Sequence, residues 1–399
     1  MSDVIVSKYG GSSVVGPDDV DLIRRIADDD PRRRVIVVSA PGKRDDSYTK
    51  VTDLLISLSK SNDPSLVDRI IDRYAIIFPG ADLSTVRSVL SDRLAVSHEG
   101  REDAIKSFGE EANARLLASA LGFDYVDPSA LFEVTDDFAG SKILPVSASR
   151  IVDRLSDGRY VVPGFFGYTS DGRIATFSRG GSDLTGSYLA ASLDALVYEN
   201  FTDRLGVFAA DPRIVDGPKK IDLLTFKEMR DLSYSGSTIF HPESIMPVEK
   251  RLVPVHVRST RQYPEKGTYI VAERISDPKH PIVGVAYSEK FCSFDVCSPG
   301  LNDFKGVLRS ITSVFDECGL SVEHMPTGID DVSVILRQDQ LDGKAGRLFS
   351  ALRRLVPDGE VRFQQNLGCL VVAGKGLRDD LFVSPTILQT LYSAQVKPV

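Results

Sequence analysis

Two short stretches, far apart in the chain, carry residue types suited to handling anions. In "SKYGGSS" (residues 7–13), Lys8 precedes Gly10 and Gly11 and follows the apolar run Val4-Ile5-Val6. In "SRGGSDLTGSYLAASL" (178–193), Arg179, Gly180, Gly181, Ser182 and Asp183 lead into a helical pattern. A glycine-rich turn between strand and helix lets backbone N–H groups converge on an anion, helped by the helix dipole. Lys8 adds a cation beside the first turn, and Arg179 offers a planar fork that fits a carboxylate or phosphate. Asp183 is placed to orient Lys8 or to help hold a phosphate-bound Mg²⁺. Each residue also has a structural reading. A lysine ending a strand is most often a solvated edge residue, and paired glycines commonly serve a tight turn. Ser12 and Ser13 make good N-caps, as does Asp183, and Arg179 can simply pair with Asp183. Jointly, the two turns suggest a nucleotide-dependent transferase.

Two further clusters fit that chemistry. "FTDRLGVFAADPR" (201–213) begins at the C-terminal end of a strand, where ligands of open α/β sheets collect. Thr202 and Asp203 suit ribose or phosphate and Arg213 suits phosphate, the alternative being a capped turn closed by Asp211-Pro212. "SFGEEANARLL" places Glu110 and Glu111 in a helix after Gly109, a glycine that permits close approach at roughly 1 kcal/mol against alanine. No CxxC pair or HExxH spacing occurs, and the five histidines are scattered. The four cysteines all fall in the last third, so reduced thiols are expected and a transition-metal site is not.

The elements that must position these residues follow from periodicity. The first ~285 residues alternate strands and helices, the signature of a largely parallel sheet covered on both faces. "RVIVVSA" (34–40) is a continuous apolar run that fits a buried parallel strand. Helical stretches extend from about Thr49 to a C-capping Gly122. "YVVPGFFGY" and "GRIATF" read as a strand pair turned at Ser170-Asp171-Gly172. "VPVHVRS" and "GTYIVAE" are strands, and "RISDPKHPIVG" (274–284) reads as a linker. Beyond it, "VCSPGL" (from 296) matches "VAGKGL" (from 372) at an offset of 76, and the same offset aligns "ITSVFDECGLSV" with "ILQTLYSAQVKP". Two units therefore stand in tandem, the second the shorter.

At 399 residues the chain can hold two or three domains. A net charge of −8 argues against a nucleic-acid or acidic-membrane partner. No apolar stretch approaches the ~20 residues that span a bilayer. The N-terminus "MSDVIVSKYG" lacks a basic n-region and a long apolar stretch, and reads as the first strand of a cytoplasmic protein.

"KYGGSSV", "VVSAPGKRDDSYTKVTDLL", "FGEEANARLLASAL", "SRGGSDLTGSYLAASL" and "TDRLGVFAADPRI" together resemble the aspartate kinases of the amino-acid kinase superfamily, in order through about 270 residues. The tandem C-terminal units resemble that family's paired ACT domains. The resemblance implies a mainly parallel open sheet sandwiched by helices, with α+β ferredoxin-like ACT units at the end. It implies a catalytic domain over 1–285, divided into an aspartate/phosphate lobe (1–195) and a nucleotide lobe (196–285), and a regulatory region over 286–399. The implied reaction moves the ATP γ-phosphoryl group to the β-carboxylate of L-aspartate. That step opens lysine, threonine and methionine biosynthesis. Lys8 would neutralise the transferring group, with Gly10, Gly11 and Ser12 lining the phosphate cradle. Glu110 would hold the substrate ammonium and Arg179 its α-carboxylate. Ser39, Thr52 and Ser182 match positions near the aspartate. Asp183 would organise Lys8 and a Mg²⁺ bound mainly through phosphates. Thr202, Asp203, Phe208, Asp211 and Arg213 would form the nucleotide side. Thr327, Gly328, Ile329 and Asp330 match an effector-contacting strand for lysine or threonine, and the ACT units imply a homodimer or larger homo-oligomer.

The pattern departs from the family in "YSGSTIFHP" (234–242), where Ser237-Thr238 stand in place of a nucleotide-contacting lysine, so that contact is absent or is supplied elsewhere, by Lys219 or Lys220. Two alternatives remain at this level. One is another amino-acid or carbamate kinase of the same fold; the other is a catalytically weak ACT-type amino-acid sensor.

Overall fold

The structure is a computed structural model that describes residues 3–398 other than 62, 98, 179, 235–239, 241 and 379. Arg179 and the Ser237-Thr238 substitution therefore lie outside the described residues. In chain order the elements are β1 (Ile5–Tyr9), α1 (Pro17–Asp29), β2 (Arg33–Val38), α2 (Val51–Ser61), α3 (Pro64–Ile77), α4 (Ser84–Ala95), α5 (Arg101–Leu121) and β3 (Asp124–Tyr125). Then come α6 (Ser147–Arg154), β4 (Tyr160–Pro163), β5 (Phe166–Tyr168), β6 (Ile174–Thr176), α7 (Gly181–Ser192), β7 (Val197–Thr202), β8 (Leu223–Thr225), α8 (Phe226–Tyr234), α9 (Met246–Lys250), β9 (Val255–Ser259) and β10 (Thr268–Val271). The chain ends with β11 (Gly284–Cys297), α10 (Val307–Asp316), β12 (Asp331–Arg337), α11 (Ala345–Leu355), β13 (Glu360–Ala373) and α12 (Val383–Ser393).

Eight strands form one sheet in the order β3-β4-β2-β1-β7-β9-β10-β8, parallel throughout except where β10 runs against β9. β1 lies between β2 and β7, so the strand order reverses there, and the carboxyl ends flanking β1 form the crevice where open α/β sheets take ligands. The period of two then sorts the side chains by face. Tyr9, Ile36, Val38 and Phe201 join one large core with the apolar residues of α1 to α5. Lys8, Tyr198 and Asn200 project to the other face, where Gly186 brings α7 against Tyr198 so closely that a Cβ would stand 2.7 Å from its ring. α5 is buried nearly all round, as a 21-residue helix inside the larger body should be.

Two sequence expectations change here. "YVVPGFFGY" is not one strand: β4 stays in the main sheet, while β5 turns away to pair with β6 in a separate hairpin. The break falls at Gly164, where a Cβ would meet the Ser182 Cβ at 2.6 Å, and at Phe165, whose φ is +80°. The edge strand β8 was not anticipated, because three residues are too few to show an alternating pattern.

The described residues cluster into two compact units, one made of those up to 284 together with those from 373 onward, the other of 285–372. In the smaller unit a three-stranded sheet, β12-β11-β13, shares one core with α10 and α11. The repeat reappears as elements. β11 and β13 begin and end 76 residues apart, as do the starts of α10 and α12. The two repeated strands lie side by side in one sheet.

Candidate active site

The "SKYGGSS" turn is built for contact with its neighbour. A Cβ on Gly11 would stand 2.6 Å from the Ala40 carbonyl oxygen, and one on Gly42 would stand 2.9 Å from the Gly11 oxygen. The Gly42 N–H donates to that same Gly11 oxygen at 2.8 Å, so the loops after β1 and β2 are locked backbone to backbone. Gly10 has a negative φ of −69° and leads into a short 3₁₀ turn over Gly11–Ser13. Gly11 and Gly42 serve close approach and not a left-handed backbone, whereas a Cβ on Gly10 would meet nothing nearer than 3.6 Å. Ser12 lies on this turn, half-buried, and Ser13 is tied to Thr260 by a 2.7 Å hydroxyl contact.

Lys8 and Asp183, 175 positions apart, meet at 2.6 Å between Nζ and Oδ1, with both side chains largely buried. Asp183 sits in the first turn of α7, entered through Gly180 in the left-handed region (φ +78°). The helix N-terminus and the Lys8 ammonium thus face the same place, which favours bound negative charge. A third partner was not visible in the sequence. Asn200 Nδ2 donates to the same Asp183 Oδ1 at 2.7 Å, and the Tyr198 hydroxyl lies 3.4 Å from that Nδ2. Asn200 is opposite Lys8 in the β1–β7 register, so the sheet itself sets both donors beside one carboxylate. Ser182 is buried at the same helix start, against Gly164.

From the other face, α5 closes on the end of β2. A Cβ on Gly109 would stand 2.7 Å from the Ala40 Cβ, which explains the glycine, and the Tyr74 hydroxyl donates to the Gly109 carbonyl at 2.7 Å. Glu110 is buried, and its Oε2 has no partner among the described residues. Burial pushes its carboxyl up to about 8, only partly offset by backbone N–H groups and the Lys8 charge. Glu111, by contrast, is taken up by Arg93 (2.7 Å) and Arg115 (2.8 Å). Asn113, also unforeseen, donates to the Ser39 carbonyl at 2.7 Å. Ser39, just past β2, and Thr52, in the first turn of α2, are half-buried on either side of the loop that joins them.

The loop after β7 is organised on its own. Thr202 donates to Asp203 at 2.9 Å, and Phe208 bridges to Lys220 across a short antiparallel pairing. Arg213 forks onto Asp211, which that guanidinium holds down to about 2, while Arg213 itself is exposed. Lys220 contacts Asp222 and the Gly267 carbonyl. Of the regulatory candidates, Asp330 accepts from the Gly300 N–H at 2.7 Å, Gly328 donates to the Asp331 carbonyl, Thr327 bridges Val332, and Ile329 is exposed. Among the described residues no group of three or more His, Cys, Asp and Glu side chains could hold a metal, and no helix is long and apolar enough to cross a membrane.

This arrangement has known counterparts. The sequence profile of the amino acid kinase family matches residues 3–259. Aspartokinase 3 of Bacillus subtilis (strain 168) is 37% identical over 415 residues, covering 98% of this chain and 90% of the relative. Lysine-sensitive aspartokinase 3 of Escherichia coli (strain K12) is 27% identical over 369 residues, covering 85% and 79%. The crystal structure of Clostridium acetobutylicum aspartate kinase superposes with a TM-score of 0.84 at 30% identity, covering 99% of this chain and 92% of that one. With a mainly parallel sheet flanked by helices and two glycine turns sharing a Lys–Asp pair, this chain belongs to the amino acid kinase family, among its aspartokinases, and is an ATP-dependent kinase.

Proposed function

We propose that the chain transfers the γ-phosphoryl group of ATP to the β-carboxylate of L-aspartate, giving ADP and 4-phospho-L-aspartate in the cytoplasm, the step that opens lysine, threonine and methionine biosynthesis. The observation that carries the substrate choice is Glu110: a buried carboxylate with an unpartnered Oε2 asks for a cation, and an α-ammonium supplies one. The name of the Bacillus subtilis relative supports the same substrate.

The nucleophile needs no general base, since a β-carboxylate, which ordinarily titrates near about 3.9, is already ionised at neutral pH. One of its oxygens attacks the γ-phosphorus, the bond to the bridging oxygen breaks, and ADP leaves with the electron pair. The protein's task is to bring two anions together in line and to screen their repulsion. Lys8, held by Asp183, faces the transferring group, and Gly10, Gly11 and Ser12 line the cradle. Arg179 takes the α-carboxylate, and Ser39, Thr52 and Ser182 border the aspartate. Thr202, Asp203, Phe208, Asp211 and Arg213 serve the nucleotide, with Arg213 leaving Asp211 to meet a phosphate. Asp183 would be the carboxylate at hand for a Mg²⁺ carried on the nucleotide phosphates, an ion that would screen charge on the transferring group.

We extend the proposal to domains and regulation. Residues 1–285 form the catalytic domain, with lobes 1–195 and 196–285. Residues 286–399 form the ACT-like region, which binds lysine or threonine near Thr327–Asp330 and joins chains into a homo-oligomer. The lysine sensitivity of the Escherichia coli relative supports lysine first.

A coupled ADP-release assay with L-aspartate, L-glutamate and carbamate, with hydroxylamine trapping of the acyl phosphate, tests the activity. Aspartate-dependent ADP and hydroxamate are expected. Turnover with glutamate or carbamate alone transfers the chain to a sister kinase, and no turnover with any of the three leaves the sensor reading.

A further inference from the structure

One peptide unit, Ser39–Ala40, is held from α5. Asn113 Nδ2 donates to the Ser39 carbonyl at 2.7 Å, and the Ala40 backbone lowers the Glu110 carboxyl one turn earlier on the same helix. A carbonyl can only accept, so the Asn113 amide is oriented by this bond and its Oδ1 points elsewhere. That Oδ1 is buried and has no hydrogen-bond partner among the described residues, and the same is true of Glu110 Oε2. The two residues stand at i and i+3, neighbouring positions on one face of α5.

Two buried oxygens without a partner carry a penalty that a bound donor facing both relieves, and a cation there favours the ionised form of Glu110 over its protonated one. A hydroxyl has one hydrogen to give and a carboxylate has none. An ammonium has three and no lone pair. We propose that Asn113 is a substrate-contacting specificity residue: its Oδ1 accepts a second hydrogen bond from the α-ammonium that Glu110 Oε2 pairs with, while its Nδ2 keeps the Ser39 peptide in place. This inference rests on the aspartate kinase reading. Its chemical consequence is selectivity. Paired acceptors favour a free amine over a dicarboxylate that lacks one, or over an N-acylated amino acid with a single N–H and a bulky cap.

The test uses the full chain, with L-aspartate as substrate and succinate, the same dicarboxylate without the amine, as competitive inhibitor. Asn113→Ala is expected to raise the KM for aspartate roughly 10- to 100-fold, the worth of a hydrogen bond to a charged group. The inhibition constant of succinate and the KM for ATP should stay within about twofold. Asn113→Ser, whose hydroxyl can accept, should recover part of the loss, and it carries the same comparison should the alanine variant fail to fold. Equal weakening of aspartate and succinate would mean that Asn113 acts only through the Ser39 peptide, and overturns the contact. An unchanged aspartate KM overturns it as well. Failure of the parent reading shows separately, as a wild-type chain that does not turn over aspartate.

Discussion

Glu199 and Glu110 are both buried, at 2% and 6% exposure, and both answer to the central part of the same sheet, yet they meet opposite fates. Glu199 on β7 receives four donors: Arg33 at 2.7 and 3.0 Å, Arg258 at 3.0 Å and the Ser7 hydroxyl at 2.9 Å. Burial pushes its carboxyl up, but Arg33, Arg258 and Ser7 outweigh burial and hold it below its ordinary value. Glu110 has only backbone N–H groups and a distant lysine charge, and burial wins. Burial alone therefore does not mark a functional acid. What distinguishes Glu110 is that the fold surrounds it without neutralising it. The Glu199 cluster is finished by the chain itself, whereas no described residue completes Glu110, and the proposed substrate ammonium would.

The largest effect that can break this comparison is on stability. Glu199→Ala leaves two buried guanidiniums facing one another and should lower the unfolding free energy by about 3–5 kcal/mol. Turnover per folded molecule should be nearly unchanged. Urea unfolding alongside steady-state rates measures both, and a stable but inactive variant would place Glu199 in the chemistry instead. Lys8→Ala should shift the balance toward rate: kcat lower by about 10²–10³-fold, the usual worth of one donor to a developing charge, with a smaller stability loss than Glu199→Ala because Asn200 still donates to Asp183. If saturating ATP and aspartate restore the wild-type rate, Lys8 only binds.

The third contrast is in pH. The Glu110 carboxyl sits at about 8 in the fold against 4.5 ordinarily, so between those values the folded chain holds a proton that the unfolded chain has released. Its contribution to stability therefore declines as pH rises from about 4.5 to 8 and levels off above. Glu199 behaves in the opposite sense, its contribution present above its ordinary value and lost as pH falls through its lowered one. Glu110→Gln should thus gain on the wild type by about 1–3 kcal/mol as pH rises toward 8, while its aspartate KM increases. Unfolding curves from pH 5 to 9 check the slope. A pH-independent difference between wild type and variant would mean that Glu110 is ionised and paired in the empty site.

Local features are legible in the sequence, whereas distant pairings are hidden unless, as for Lys8 and Asp183, both partners sit in recognisable motifs. Both glycine turns, the Lys8–Asp183 partnership, the close approach at Gly109 and the 76-residue repeat all follow from short-range spacing or from motif order. The Asn113–Ser39 bond joins residues 74 apart, and the Asn200–Asp183 bond depends on β7 lying beside β1. An asparagine in "GEEANARLL" or "YENFTD" carries no signal of its own, because its meaning is the group it reaches. Gly164, similarly, reads as part of an apolar run until Ser182 is brought against it.

Asn200 supports the smallest effect, and the one that most sharpens the contrast between a finished cluster and an open one. It shares Asp183 Oδ1 with Lys8 and is itself buried, so in the proposed mechanism it is a positioning residue. Asn200→Leu should lower kcat about tenfold, with the KM for aspartate and ATP within about twofold, because Asp183 is freed to swing while the binding groups stay. Asn200→Asp sets a second carboxylate against Asp183. Two such groups favour sharing one proton, and the protonated form can donate as the amide did. Its activity relative to wild type should therefore rise as pH is lowered. A ratio that stays flat from pH 6 to 9, with kcat and stability falling together in the leucine variant, would reduce Asn200 to packing and leave Lys8 alone to orient Asp183.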